Sequence, residues 1–259
     1  MITFPSGNTY QLVYLDTNSL NYIAKNTFET TKNFLCKYCL NGGYMFVTTA
    51  YNLFELFKTK YESRNSIINF FNLFPLAIIK TYPQLIEYEK RTDGFHQDMV
   101  LFAIGAKSLF NTQIEDLITM YDNGKFDESI SIMENNFNAE LELWNSVKSN
   151  SQWMKCFDKS LLDSMNDLFK YSSNSFTITK LGKYKSLEIY AFIANQFINS
   201  KNGKKEINSI IDAYNASVLP YVEVYITENS VGAWLEMAQD KLSYLKDKEI
   251  IKIGSLFNK

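Results

Sequence analysis

Three β-rich apolar runs near the start of the chain, each parted from the next by a pair of helical stretches, constrain its fold more than any other feature. Residues 10–16, YQLVYLD, read as a short strand that ends in an acid. Residues 18–40 carry helical spacing with an interruption around Asn26–Thr27, and Asn41-Gly42-Gly43 is a turn. Tyr44–Thr48 is the second β-rich run, and Thr48 or Thr49 can cap the helix AYNLFELFKTKYES that follows. Leu53, Phe54, Phe57 and Tyr61 form an apolar stripe on that helix. Residues 64–74 repeat the helical pattern, Pro75 ends it, and LAIIK is a third strand. This β-α-α-β-α-α-β order predicts α/β architecture: a parallel sheet flanked by helices in three α/β/α layers.

The middle of the chain departs from this rhythm. From residue 83 to 182 almost no β-rich run is found, and stretches such as FDESISIMENNFNAELELWNSVK and WMKCFDKSLLDSMNDLFKY have helical spacing. The loop YSSNSFTITKLG closes this segment. The α/β pattern then returns with an amphipathic helix KSLEIYAFIANQFINS, a helix EINSIIDAYNASVLP stopped at Pro220, a strand YVEVYIT, a helix VGAWLEMAQDKL and a last short strand EIIKIG. The expected organisation is an α/β core at 9–82 plus 183–256, with an all-helical insertion at 83–182.

Four acids stand at chemically telling places in this scheme. Asp16 closes the first strand in V-Y-L-D-T-N, and Glu228 follows the late strand in V-Y-I-T-E-N. Ligands of open parallel sheets bind outside the carboxyl ends of the strands, so both acids face the usual site. Glu55 and Asp212 interrupt apolar helical neighbourhoods, NLF-E-LF and SII-D-AY. A carboxylate in such surroundings is costly to bury unless it is paired or bound to metal. Converging carboxylates without cations repel one another, and a hard divalent ion such as Mg²⁺ or Mn²⁺ relieves that repulsion with oxygen ligands. On this reading Asp16 and Asp212 hold the ion, and Glu55 and Glu228 complete its shell or hold its waters. The ion's charge would polarise a phosphodiester and acidify a bound water for in-line attack. Thr17, Asn18, Asn215, Thr227 and Asn229 are placed to orient those waters or a phosphate. Lys58, Lys60 and Arg64, and separately Lys201, Lys204 and Lys205, are candidates to track a phosphate backbone.

At these residues the chain resembles the PIN domain family. The resemblance lies in L-D-T-N at 15–18, the Glu55 helix, D-A-Y-N-A at 212–216 and Y-I-T-E-N at 225–229, in that order, and covers roughly residues 9–80 and 183–255. It implies a parallel sheet between helices and an acidic site for Mg²⁺ or Mn²⁺. It further implies a nuclease that cuts RNA ahead of DNA. The fourth acid is Glu where the family more often has Asp. The central insertion is far longer than in small toxin-type members, which points to a larger relative with its own partner or substrate lobe. A protein partner on the insertion and a homodimer are both compatible with this reading.

Composition bounds these readings. The 26 Lys and Arg against 28 Asp and Glu give a net charge of −2 and no global basic field, so nucleic acid would have to meet a local patch. No apolar run reaches the ~18–20 residues of a membrane span, and MITFPSGNTYQ does not read as a secretory signal. Three cysteines, Cys36, Cys39 and Cys156, fit free thiols in a reducing cytoplasm.

Each acid also has an ordinary role open to it. Asp16 can cap a helix, Glu55 can pair with Lys58 or Thr59, Asp212 can be an exposed helix acid, and Glu228 can sit in a first turn against the helix dipole. Cys36-x-x-Cys39 with a single histidine in the chain makes a poor zinc site. Arg91-T-D-G-F-His96 matches the R-x4-H string of HEPN ribonucleases, although Thr92-Asp93-Gly94 reads as a turn where that family has a helix. Trp144, Trp153 and Trp234 read as core. Besides the metal-dependent nuclease, two further readings stand: a catalytically inactive module binding nucleic acid or protein, and a metal-independent HEPN-type ribonuclease.

Overall fold

The computed structural model of the chain describes residues 1–3, 7–26, 28–59, 61–71, 76–92, 99–104, 116, 118–150, 152–168, 177–200 and 205–257. In chain order its elements begin with β1 (Ile2–Thr3), β2 (Thr9–Leu15), α1 (Thr17–Lys25) and α2 (Phe28–Phe34). They continue with β3 (Tyr44–Thr49), α3 (Ala50–Lys58), α4 (Tyr61–Phe71), β4 (Leu76–Ile79), α5 (Tyr82–Arg91) and β5 (Val100–Ile104). Then follow α6 (Asp127–Ser146), α7 (Phe157–Leu168), α8 (Lys185–Asn199) and α9 (Ile207–Ala216). The chain finishes with β6 (Val224–Thr227), α10 (Asn229–Lys241), β7 (Glu249–Lys252) and α11 (Ile253–Phe257).

β2 is the hub. Its residues Leu12–Leu15 are all buried, so both faces of the strand are covered, as in the interior of a parallel sheet. Leu12 and Tyr14 join one core, and Val13 and Leu15 join the other. The sheet runs β5-β4-β3-β2-β6-β7. β2 pairs in parallel with both β3 and β6, in the registers Tyr14↔Val47 and Tyr14↔Tyr225. Tyr14 and Tyr225 stack with ring centroids 4.5 Å apart. β1 adds to β2 antiparallel. One helical layer, with α1, α2 and α4, covers the Val13 face, and α5 to α10 build the thicker layer on the Tyr14 face. The α/β class and its three layers are as the sequence predicts.

Two features differ from expectation. The middle segment, expected to be all helical, supplies β5, which pairs antiparallel with β4 at the sheet edge (Leu76↔Ile104, Ala77↔Ala103). A five-residue apolar run such as V-L-F-A-I is ambiguous between helix and strand. The unpaired edge of β4 decides for strand, because it offers a row of N–H and C=O groups. Second, α8 is not amphipathic. Leu187 through Asn195 are all buried, because α5, α6, α7, α9 and α10 pack around it. The segment 83–182 therefore shares the main core rather than forming a separate lobe: Phe137, Trp144, Trp153, Phe157, Leu161 and Met165 are all continuous with it. Trp234 packs edge-on against Phe197, with centroids 4.7 Å apart.

Two acids are buried in this layer away from the sheet edge. Glu89 accepts from the Ser186 backbone N–H at 2.7 Å and from the Tyr221 hydroxyl. Glu188 accepts from the Gly182 N–H at 2.5 Å and the Tyr244 hydroxyl at 3.0 Å. Desolvation outweighs these donors and pushes both carboxyls up to about 7. Among the described residues no helix is long and apolar enough to cross a membrane.

Two outcomes follow from this packing. Phe192→Ala, at a fully buried position on α8, destabilises the fold by about 3–5 kcal/mol in urea unfolding, whereas Met237→Ala on the exposed side of α10 stays within ~0.5 kcal/mol. The raised carboxyls at Glu89 and Glu188 contribute stability that is fully present below their ordinary value of 4.5 and is lost as pH rises through about 7. Unfolding free energy therefore falls across that window, and the Glu89→Gln/Glu188→Gln double variant shows a flatter profile.

Candidate active site

The strand order reverses between β2 and β6. The chain leaves β2 for β3 on one side of the sheet and leaves β6 for β7 on the other. Such a switch point opens a crevice at the carboxyl ends of the strands. Asp16 and Glu228 are the residues that directly follow those two strands.

Asp16 is held from three sides. It caps α1, with Oδ1 accepting from the Ser19 N–H at 2.6 Å. Its Oδ2 accepts from the Thr227 hydroxyl at 2.5 Å and from the Glu228 N–H at 3.0 Å. Burial still raises its carboxyl above the ordinary value, against the pull of these donors. The helix-capping role and a place in the acid cluster thus coexist, since an ionised carboxylate offers about four lone-pair sites.

The other acids close in around it. Glu55, on α3, accepts from the Thr17 hydroxyl at 2.5 Å, and burial and the Asp16 charge raise its carboxyl. Glu228 occupies the N-cap position of α10 without a side-chain capping bond, and accepts from Ser230 Oγ at 2.5 Å and, at a long 3.5 Å, from Asn18 Nδ2. Asp212, on α9, is raised well above the ordinary carboxyl value: burial is the largest cause, followed by the charges of Glu228, Glu55 and Asp16, and no donor or cation among the described residues opposes them. Four acids spread over two hundred residues of chain therefore act on one another at one rim. Among the described residues no three His, Cys, Asp or Glu side chains close about one point as a preformed metal cage. The acids sense one another through charge rather than through shared contact. An all-oxygen, uncompensated donor set of this kind fits Mg²⁺ or Mn²⁺ and not a soft metal.

A cleft of about 440 Å³ opens beside them, lined by Thr17, Asn18, Asn21, Glu55 and Lys58 on one side and by Ile207, Asn208 and Ile211 on the other. Lys58 keeps its place on the wall, but its ammonium is ion-paired with Glu134 of α6 and lies 4.2 Å from the centre of the Phe54 ring.

Several residues expected to touch substrate are hydrogen-bonded within the fold. Asn215 is buried, and its Oδ1 accepts from the Thr49 hydroxyl at 2.6 Å. Thr49 in turn caps α3 by accepting from the Asn52 N–H at 3.1 Å. Asn52 accepts from the Tyr14 hydroxyl at 2.7 Å and donates to the Leu15 carbonyl at 2.9 Å. This network fixes the backbone just before Asp16 and commits the Asn215 Oδ1 to Thr49. Thr227 is likewise buried and spends its hydroxyl on Asp16. Thr17 donates to Glu55, and Asn18 is exposed at the cleft beside Glu228. Asn229 is exposed and leans on α11, where a Cβ at Gly254 would come within 3.4 Å of its Oδ1.

The lysine groups shrink similarly. Lys205 donates to the Trp144 carbonyl at 3.0 Å, and Arg64 pairs with Asp122 at 3.1 Å. Lys60, Lys201 and Lys204 lie outside the described residues, as does His96. Arg91 is the last residue of α5 and Thr92 is already extended, so the R-x4-H string does not continue along that helix. Cys36 and Cys39 sit in the π-helical turn Leu35–Leu40 as free thiols, and burial pushes Cys39 up to about 12. Asn52 and Asn208 were not singled out in the sequence. Their signal was spacing, since Asn52 stands three residues before Glu55 and Asn208 four before Asp212, each on the same helix face.

No family model matches the chain, and neither a curated protein nor a solved structure does.

The unopposed charge on Asp212 has a measurable consequence. Its raised carboxyl means that stability is retained below the ordinary 3.8 and lost as pH rises through the folded value. In EDTA at neutral pH, Asp212→Asn therefore raises the melting temperature, by about 3 °C for each kcal/mol of repulsion removed. A divalent ion held by these acids, at a hundredfold excess over its Kd, would add ~2.7 kcal/mol to the native chain and leave the variant's melting temperature unmoved.

Proposed function

We propose that this chain is a PIN-like, metal-dependent nuclease that hydrolyses phosphodiester bonds, with RNA ahead of DNA as substrate. One observation carries the reading: Asp212 is pressed on by three other carboxylates at a sheet switch point, and no positive group among the described residues answers it. Asp16 and Asp212 would hold Mg²⁺ or Mn²⁺, with Glu55 and Glu228 at its margin. When bound, such an ion supplies a Lewis acid for the phosphate and a water acidified enough to attack it.

The chain's own residues do the rest. Ser19, Thr227 and the Glu228 N–H hold the Asp16 carboxylate in one orientation. Thr17 does the same for Glu55, and Ser230 and Asn18 for Glu228. Asn21 and Asn208 on opposite walls of the cleft offer amide groups to a strand lying in it. No histidine is required as general base. A second reading, a non-catalytic module that binds nucleic acid or protein, draws on the lack of a preformed cage among the described residues.

Single-stranded RNA with Mn²⁺ or Mg²⁺ separates the readings. The nuclease cleaves it, stops in EDTA, and loses activity to background in Asp16→Asn and Asp212→Asn. Thr227→Val, which only supports Asp16, lowers the rate about 10–100-fold. Binding without cleavage favours the module, and cleavage that persists in EDTA rules out both.

A further inference from the structure

A second concavity lies along the same rim of the sheet. It has a volume of about 250 Å³ and is bounded by Lys80, Pro83, Gln84, Glu87, Tyr88 and Arg91. Lys80 is the first residue after β4, and the others form the outer face of α5 at helical spacing. The opposite face of α5 carries Tyr82, Leu85 and Ile86 into the core.

Its position follows from register. Tyr14 pairs with Val47 and Thr49 pairs with Ile79, all in parallel strands. Asp16 and Lys80 therefore leave the sheet within one residue of the same level, two strand spacings or about 10 Å apart. Both concavities also draw a wall from the same helical layer, one from α9 and the other from α5. Tyr214, two residues after Asp212, packs on Tyr82, two residues after Lys80, with ring centroids 5.0 Å apart.

Its chemistry is that of a phosphate seat with a flat apolar floor. Lys80 Nζ donates to the Tyr88 hydroxyl at 2.9 Å and sits 4.1 Å from the centre of that ring. Neither Lys80 nor Arg91 has an acidic partner among the described residues, while Glu87 is already paired with Lys90. Pro83 and the Tyr88 ring give base- and sugar-sized flat surfaces. The volume falls short of the ~300–1,000 Å³ of a pocket for a whole small molecule. It suits one nucleotide of a longer strand.

Resting on the nuclease reading, we propose that this pocket is a subsite for single-stranded nucleic acid. Lys80 and Arg91 take one backbone phosphate, and the adjoining sugar or base rests on Tyr88 and Pro83, about three stacked nucleotides at ~3.4 Å each from the acids. The pocket adds positive charge beside an acid-rich centre, so it supplies the attraction that the acids lack.

The test measures binding apart from cleavage. A fluorescein-labelled oligouridylate is titrated by anisotropy in EDTA over a range of salt, with native chain, Lys80→Glu/Arg91→Glu and the milder Lys80→Gln/Arg91→Gln. Both pairs of substitutions are expected to weaken binding about tenfold or more. They should also flatten the slope of log affinity against log salt by about 0.7, the contribution of one lost phosphate contact on a single strand. Melting temperatures should stay at the native value, because Arg91 is exposed and Lys80 half-buried. Affinity and slope unchanged in the Gln pair overturn the proposal, as does a native chain that does not bind the oligonucleotide, or a pocket that instead captures an acidic peptide. The nuclease reading fails by a different result, native binding in EDTA with no cleavage once Mn²⁺ is added.

Discussion

Burying Asp16 at the end of β2 is tolerable only because donors from two elements reach it at once. One comes from the first turn of α1 and two from the end of β6. The β2–β6 pairing must therefore be in place, in register, before the acid can be accommodated. A slip of one residue would turn every side chain of β6 to the other face of the sheet. It would carry Thr227 away from Asp16 and Tyr225 away from Tyr14. The same three hydrogen bonds thus specify the sheet's centre and the orientation of an acid at its rim.

Asp212 is placed by quite different means. No hydrogen bond from the described residues reaches it; its helix is held from behind by rings. Tyr214 stacks on Tyr51 at 4.9 Å and on Tyr190 at 5.2 Å, and Tyr82 completes the group. These rings come from α3, α5, α8 and α9, so the position of Asp212 depends on the whole thicker layer. The middle segment contributes directly. Phe137 of α6 packs on Tyr51 and Tyr214, Phe57 stacks on Tyr121 and Phe126, and Glu134 pairs with Lys58 at the cleft wall. As an exposed ion pair the last contact is worth little, about 0–1 kcal/mol; the aromatic contacts do the anchoring.

What could be read from residues alone divides along physical lines. Strand ends and their acids were legible, because an apolar β run ending in a carboxylate is a local signal. That Asp212 stands near enough to feel the charges of Asp16, Glu55 and Glu228 followed from topology, since βα order determines which ends face together. The roles of Thr227 and Asn215 were not legible. A threonine beside an acid reads equally as a ligand's neighbour or as its support, and only the fold shows which way the hydroxyl turns. The layer depth over α8 was hidden for a similar reason: its two polar residues inside the buried stretch, Glu188 and Asn195, mimic an exposed stripe. Glu188 is satisfied by Gly182 and Tyr244, and Asn195 by the Ala191 carbonyl, partners no periodicity could reveal. β5 was lost because pairing with β4, not its own pattern, makes it a strand.

Charge along the rim is unevenly distributed even though the chain as a whole is close to neutral. Acids cluster outside β2 and β6, and cations with no acidic partner among the described residues stand outside β4 and on α5. A polyanion approaching such a rim is drawn to one end and repelled at the other. On the proposed reading, a divalent ion at the acids would change the sign of the repelling end. The strand could then lie across both, which couples substrate binding at the acids to metal occupancy without any moving part. Screening at physiological salt, with a Debye length near ~8 Å, is comparable to the separation of the two charge clusters. Each end of the rim therefore acts largely on its own section of strand, and the acids need no long-range help from the cations beyond holding the strand near.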